Sequence, residues 1–400
     1  MISDANTADV VIVGAGVVGS ALAQALVPSD LRVVLLDQQV EIPRYSGEVF
    51  DPRVVALSPA AAAFLGRLGT WPDILQQRAC PYLGMEVWDG EGNGRIRFSC
   101  DELHRDNLGY IVENSVVLTA LRQSLADLID FRAPLSLTSW TQIDGLNHLV
   151  LSDGSTLRSP LLVGADGAHS QLRQMAHIPV REWDYRHQAI ITTIRTEESH
   201  GFVARQRFSH LGPLAFLPLL RDEADAGHFC SIVWSLESAE AEKMLALGDE
   251  DFCRVLTLTS EACLGQVAWS DQRFCVPLWQ RHARDYGYAG FALVGDAAHC
   301  IHPLAGQGVN LGLYDARILA AEIVRAKQRG VPLQHPSVVQ RYQRQRQMHN
   351  LGAMASMEGF KHLFGNRSPW LLSLRNRGLG WVDGQLWLKR LLMQAASGEI

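Results

Sequence analysis

Apolar positions run in two rhythms along this chain, and the change from one to the other divides it. Near the start, Asp9-Val10-Val11-Ile12-Val13 is β-branched after its first position, which predicts a short buried strand. Glycines interrupt the run between Gly14 and Gly19, and the Ala- and Leu-rich stretch from Ser20 to Leu26 predicts a helix. A second apolar run, Arg32 to Leu36, ends at Asp37. Strand, glycine turn, helix and strand in this order predict the βαβ opening of a doubly wound α/β sheet. Helical periodicity returns at Pro59 to Leu68 and Val116 to Leu128. A hairpin is expected where LVLSDGSTL alternates on either side of Asp153-Gly154.

From about Glu182 to Cys275 the period shortens. Ala189 to Arg195, Leu214 to Leu219 and Cys230 to Leu236 read as strands, and periodic helices become scarce. A β-rich domain inserted into the first is the expected arrangement. Leu293-Val294-Gly295-Asp296 then restores a strand ending in a glycine turn, and Leu311 to Ala326 predicts an amphipathic helix. The boundaries that follow are a discontinuous nucleotide-binding domain over 1–75, 100–180 and 276–345, and a β-rich substrate domain over 76–99 and 181–275. A C-terminal helical segment over 346–400 carries Trp370, Trp381 and Trp387.

Composition narrows the function classes. At 400 residues the chain is longer than one core usually spans, and 47% apolar residues supply ample material for two. A formal charge of −6 argues against a broad basic face for nucleic acid. The segment from Arg341 to Ile400 is locally basic, with nine Lys or Arg against three Asp or Glu. The opening residues lack the features of a signal peptide, and no stretch approaches the ~18 uninterrupted apolar residues of a membrane span. Seven scattered cysteines without a C-x-x-C predict neither a disulfide framework nor a zinc site, and a reducing cytoplasm is the expected home.

Three glycine-bearing strings carry the chemistry. Gly14-Ala15-Gly16-Val17-Val18-Gly19 fits G-x-G-x-x-G after a strand and before a helix, with Asp37 placed to meet a ribose diol. Its glycines permit a tight turn, a close approach of pyrophosphate and a close helix–strand contact; the helix N-terminus favours the anion. Alone it leaves FAD and NAD undecided. Leu161-Leu162-Val163-Gly164-Ala165-Asp166-Gly167 runs a strand into an acidic turn followed by Ser170 and Arg173. Gly295-Asp296-Ala297-Ala298-His299 leads through His302 and Pro303 to Gly306, Gly308, Val309 and Asn310, offering a second helix N-terminus to an anion.

The strings GAGVVG, GADGAHSQLR and GDAAHCIHPLAGQG together resemble the FAD-dependent aromatic hydroxylases related to para-hydroxybenzoate hydroxylase, over the chain to about residue 345. That resemblance implies a glutathione-reductase-like FAD-binding domain. It implies Gly14, Gly16, Gly19 and Asp37 on the ADP half, Asp166 at a site shared by FAD and NAD(P)H, and Asp296 on the ribityl or pyrophosphate part. Arg53 resembles the family's loop arginine near the flavin, and Asn114 stands where the family often has a glutamine. Pro303 would lie close to the flavin's reactive carbon, with the backbone N–H groups of Gly308, Val309 and Asn310 facing charge near N1. No nucleophile or metal is implied. A general base is left open, Tyr185 and His187 being candidates beside a plain packing role. His169 departs from the Asn or Arg of many relatives.

The strings GMEVWD, IVENSV, IRTEE, LAFLPL and CSIVWSL further resemble the ubiquinone-biosynthesis branch, the 2-polyprenylphenol hydroxylases in particular. The resemblance implies hydroxylation of a polyprenylated phenol with NAD(P)H and O2, through a flavin C4a-hydroperoxide. Such a lipid sits in the bilayer. Trp370, Trp381 and Trp387 interleaved with Arg375, Arg377, Lys389 and Arg390 are therefore expected either to contact the inner face of a membrane or a quinone-biosynthesis complex, or to pack on the flavin domain. A flavin-dependent prenyl reductase and a non-catalytic flavin-fold scaffold share the same motifs and stay open.

Overall fold

A computed structural model of the chain describes residues 6–125, 127–222, 227–300, 308–365 and 381–397. Its first sheet has six strands in the order Gly287–Tyr288, Phe291–Leu293, Leu161–Gly164, Val10–Val13, Val33–Leu36 and Asp130–Arg132. All neighbours are parallel except the first pair. Parallel strands are covered on both faces and so read as unbroken apolar runs, as Val10–Val13, Val33–Leu36 and Leu161–Gly164 do. Phe291 pairs beside Leu162, which returns the chain to its first domain after the intervening strands. The helices Val17–Leu26 and Gly308–Gln328 pack side by side on this sheet. The Asp153-Gly154 turn joins Leu146–Leu151 to Thr156–Ser159 as an antiparallel hairpin.

The second large sheet has nine strands, and Val180–Thr196 is its spine, bonded to both Phe229–Glu237 and Phe274–Ala283. Gly84–Asp89 and Arg95–Ser99 join it at one edge. The boundary drawn at residue 275 falls inside Phe274–Ala283. Cys80–Tyr82 belongs instead to a three-stranded sheet with Gly109–Glu113 and Val54–Leu57.

Two helices in this region, Ser238–Ala246 and Asp249–Thr259, run against the expectation that helices are scarce there. Val255-Leu256-Thr257-Leu258-Thr259 alternates with the period of a strand, which hides the helix. What decides is burial of Phe252, Cys253 and Leu256, which recur at helical spacing, against Trp234, Ile190 and Ile194. Three acids in its first turn, Asp249, Glu250 and Asp251, suit the positive end of the helix dipole.

Candidate functional site

The three glycine strings pack against one another, and each glycine meets a different need. Gly14 leaves its strand at φ +104°, and a Cβ there would lie 2.3 Å from the Ala165 carbonyl oxygen. A Cβ on Gly19 would lie 1.9 Å from the Gly14 oxygen, so helix and strand close up only on glycine. Gly16 caps the helix Val17–Leu26, and a Cβ there would meet nothing within 4 Å. That glycine opens onto the space before the helix N-terminus, where an anion is favoured.

Asp37 braces this loop. Its Oδ2 accepts the Ala15 N–H at 2.6 Å and its Oδ1 the Gln39 N–H at 2.7 Å. Arg122, which the sequence reading passed over, donates to the carbonyls of Ala15 at 3.1 Å and Val40 at 2.9 Å, and stands 3.4 Å from Asp37. The available signal was a lone arginine in the otherwise apolar and small-polar helix Asn114–Leu125.

Asp166 turns inward. Its Oδ2 accepts the Leu172 N–H at 3.1 Å, while its buried Oδ1 has no hydrogen-bond partner among the described residues. Arg173, itself buried, donates to the Ala168 carbonyl at 2.9 Å and across to the Ala297 carbonyl at 2.8 Å, fastening the second string to the third. Val18 of the first string packs on Gly295 and on Gly312, where a Cβ would come within 2.5 Å of it. The helix Gly308–Gln328 begins at Gly308, where a Cβ would again meet nothing within 4 Å. Val309 is half-buried. The Asn310 side chain accepts the Ser58 N–H at 3.0 Å and donates to the Ala56 carbonyl at 2.7 Å, which registers this helix against the strand Val54–Leu57. Pro303, His302 and Gly306 lie outside the described residues.

Arg53 and Asn114 come together through a buried carboxylate. Asp51 accepts the Arg53 N–H at 2.8 Å through one oxygen and the Ser115 N–H at 2.9 Å through the other, and the Asn114 N–H donates to the Arg53 carbonyl at 2.8 Å. The Asp51 N–H donates to Glu113 at 2.6 Å, and Arg78 stands 3.6 Å from the same carboxylate. Burial pushes the Glu113 carboxyl above its usual range against both partners. The Arg53 side chain is exposed, and its charge reaches Asp296. Asp296 touches solvent, yet surrounding protein crowds it enough that burial raises its carboxyl, with His299 and Arg53 opposing.

Behind Asp296 lies a buried charge cluster absent from the sequence reading. Asp315, fully buried, accepts the Gly295 N–H at 2.9 Å and His299 Nε2 lies 2.5 Å away, so one carboxylate grips both ends of the turn bearing Asp296. Arg346 donates to its other oxygen at 2.7 Å and to Asn350 at 2.8 Å; Asn350 reaches the Tyr286 hydroxyl, and His282 lies 3.0 Å from it. Burial pushes the Asp315 carboxyl up, but His299 and Arg346 together more than reverse this and hold it below the usual range. Burial, His299 and Arg181 bring His282 down to about 4. His299 is thereby committed to a carboxylate. The signal was an acid, Asp315, set among the apolar residues of LGLYDARILA.

His187 is half-buried beside the register shift in Val180–Thr196, the Tyr185 side chain lies outside the described residues, and His169 is exposed. Trp370, Arg375 and Arg377 also lie outside them. Trp381 and Trp387 are exposed. Lys389 and Arg390 correct the expected basic outer face: both turn inward, onto Glu102.

Comparison with known proteins agrees with this geometry. The model of a family described as FAD binding domain matches residues 7–351. The chain is 35% identical over 392 residues to the 3-demethoxyubiquinol 3-hydroxylase of Escherichia coli K12, covering 98% of each. It is 32% identical over 440 residues to the ubiquinone biosynthesis monooxygenase COQ6 of Xenopus tropicalis, covering 97% of this chain and 93% of that one. Its fold is similar to that of Pseudomonas aeruginosa PqsL in complex with 2-aminobenzoylacetate, with a TM-score of 0.78 at 21% identity over 94% of this chain and 99% of the other.

Proposed function

This chain belongs to the FAD-binding family of aromatic monooxygenases, in its ubiquinone-biosynthesis hydroxylase branch, and from that premise we propose that it uses NAD(P)H and O2 to hydroxylate the ring of a polyprenylated phenol. The observation that carries the reading is the mutual packing of the three strings, Gly14 against Ala165, Arg173 onto Ala297, and Val18 against Gly295 and Gly312. The residues present fit FAD. Gly16 leaves room before a helix N-terminus, and the orphaned Asp166 Oδ1 is an acceptor for a ligand donor. When bound, FAD supplies acceptance of hydride and activation of O2.

The chain's own residues hold and shield. We assign the pyrophosphate to Gly14, Gly16, Gly19 and the Val17 helix, the adenosine ribose to Asp37, and the sugar chain to Asp296, with Asp166 at the place shared with NAD(P)H. Arg53 and Asn114 stand beside the ring system. The backbone N–H groups of Gly308, Val309 and Asn310 stabilise negative charge at the head of their helix, and Pro303 is assigned to its reactive edge by family likeness. The Val180–Thr196 sheet offers the half-buried residues Ile191, Ala215, Leu217 and Val233 on one face, which suit an apolar ring and keep water away. We place the enzyme at the inner face of a membrane, where such a lipid resides. Among the described residues no helix is long and apolar enough to cross one.

The test is oxygen uptake coupled to NAD(P)H oxidation by the FAD-loaded protein with a detergent-dispersed 2-polyprenylphenol. A product one oxygen heavier is expected. Saturation of a prenyl double bond without O2 would instead identify a reductase, and bound FAD that NAD(P)H leaves oxidised, with or without lipid, a scaffold.

A further inference from the structure

Gln206 is a buried amide without a partner. It is 6% exposed, its side chain makes no hydrogen bond among the described residues, and its amide is not sealed from solvent. Other buried amides in the molecule show the usual arrangement. Asn147 takes the Trp140 indole N–H at 3.0 Å and donates to the Ser159 and Gly290 carbonyls. Asn310 joins Ser58 to Ala56, and Asn350 joins Arg346 to Tyr286. The polar neighbours of Gln206 along its own strand are paired as well: Arg205 donates to the His200 carbonyl at 2.8 Å and Arg207 to Glu261 at 3.1 Å. A buried polar side chain left unpaired costs free energy, so its presence points to a partner that the fold does not supply.

The register of the nine-stranded sheet says where this amide stands. Its strand, Val203–Phe208, lies between Leu214–Leu219 and Gly84–Asp89, with Gln206 opposite Ala215 on one side and Val87 on the other. Ala215 is in turn opposite Val233, and Val233 opposite Ile191. The amide therefore shares the face on which the apolar residues assigned to the ring stand. Ala204, two positions earlier on that face, and Ala215 both end at Cβ, so the amide rises above a shallow floor. Leu217 and Leu219 of the same face pack with Phe50, Val54 and Ala56 in one cluster, and the Ala56 carbonyl takes the Asn310 amide at the head of the Gly308 helix. The face carrying Gln206 is thus applied to the strand that registers the helix assigned to the flavin.

We propose that Gln206 hydrogen-bonds the oxygen substituent of the aromatic ring and so selects and orients the ring on this face. The assignment rests on the phenolic substrate proposed above. A primary amide offers donors and an acceptor without a charge, which matches a neutral hydroxyl that can both give and take a hydrogen bond. The apolar neighbours hold the ring by its faces, and the amide fixes which edge is presented. A site built to pair a hydroxyl discriminates strongly against the ring that lacks it, because its own polar group is then left unpaired.

The experiment is equilibrium dialysis of the full-length, FAD-loaded protein against 2-prenylphenol and against prenylbenzene, which differs only in lacking the oxygen. The unaltered protein should bind the phenol about tenfold more tightly. Gln206→Leu and Gln206→Met, both close to glutamine in size, should bring the ratio of the two dissociation constants to about one by weakening the phenol alone. Because Gln206 bonds no other side chain, thermal midpoint and FAD content should hold in both variants. A ratio that stays as in the unaltered protein would overturn the assignment, as would equal weakening of both ligands, which marks a residue that only shapes the wall. In either case the phenol still binds the unaltered protein, and the substrate reading stands. Binding of neither ligand by the unaltered protein would sink that reading and this assignment with it.

Discussion

Two helices break the usual distribution of polarity in opposite directions. Gly308–Gln328 carries a charge into the interior, with Asp315 fully buried; Leu386–Ser397 carries tryptophan and leucine outward. In the first, every departure is answered inside the molecule: Asp315 meets Gly295, His299 and Arg346, and the result is a fixed turn under Asp296. In the second, the polar side is answered by Glu102, and the apolar side faces away from the protein. A violation satisfied within the fold positions something; one left facing out points to something beyond the fold.

Removing the internal answer gives the largest expected effect. Asp315→Ala leaves His299 and Arg346 facing each other without their carboxylate, and a loss of about 3–5 kcal/mol is expected in urea denaturation, with FAD retained poorly. A stability change within ~0.5 kcal/mol would show the cluster to be dispensable and dissolve the contrast.

Acid probes the same cluster without mutation. His282 is held neutral by burial, at about 4 against its ordinary 6.5, so between those values the unfolded chain binds the extra proton. Stability should therefore fall as pH drops from 6.5 toward 4, by roughly 3 kcal/mol at most, and His282→Gln should flatten that slope. The depressed Asp315 carboxyl acts in a lower window. Its contribution is complete above the ordinary carboxylate range and is lost as pH falls below it.

Two glycines sharpen the picture where the strings pack. Gly19→Ala places a methyl 1.9 Å from a backbone oxygen and should cost about 1–3 kcal/mol of stability. Gly16→Ala meets no protein atom, so its thermal midpoint without FAD should hold while FAD affinity, followed by flavin fluorescence, falls. Equal effects from the two would refute the division of labour. The smallest effect belongs to the outward helix. Trp381→Ser should change folding stability by less than ~0.5 kcal/mol in calorimetry.

What the sequence determined by itself is what depends on neighbours a few residues apart. The βαβ opening followed from β-branched runs beside Ala-rich periodicity, and the glycines from backbone conformations and approaches that exclude a Cβ. The order of three such strings resembles that of the FAD-dependent aromatic hydroxylases, and the cofactor class is what that resemblance implies. What only the tertiary structure decided involves partners far along the chain. Arg346 reaches Asp315, Arg173 ties Ala168 to Ala297, and Arg122 clamps Ala15 and Val40. Periodic helices read as scarce between Glu182 and Cys275 until the Trp234 core claimed Phe252, Cys253 and Leu256 for one. Lys389 and Arg390 read as an outer basic face until Glu102, 287 and 288 positions away, drew them inward. The physical reason is common to all: periodicity along a chain states how often a side chain points one way, whereas the group waiting there is supplied by folding.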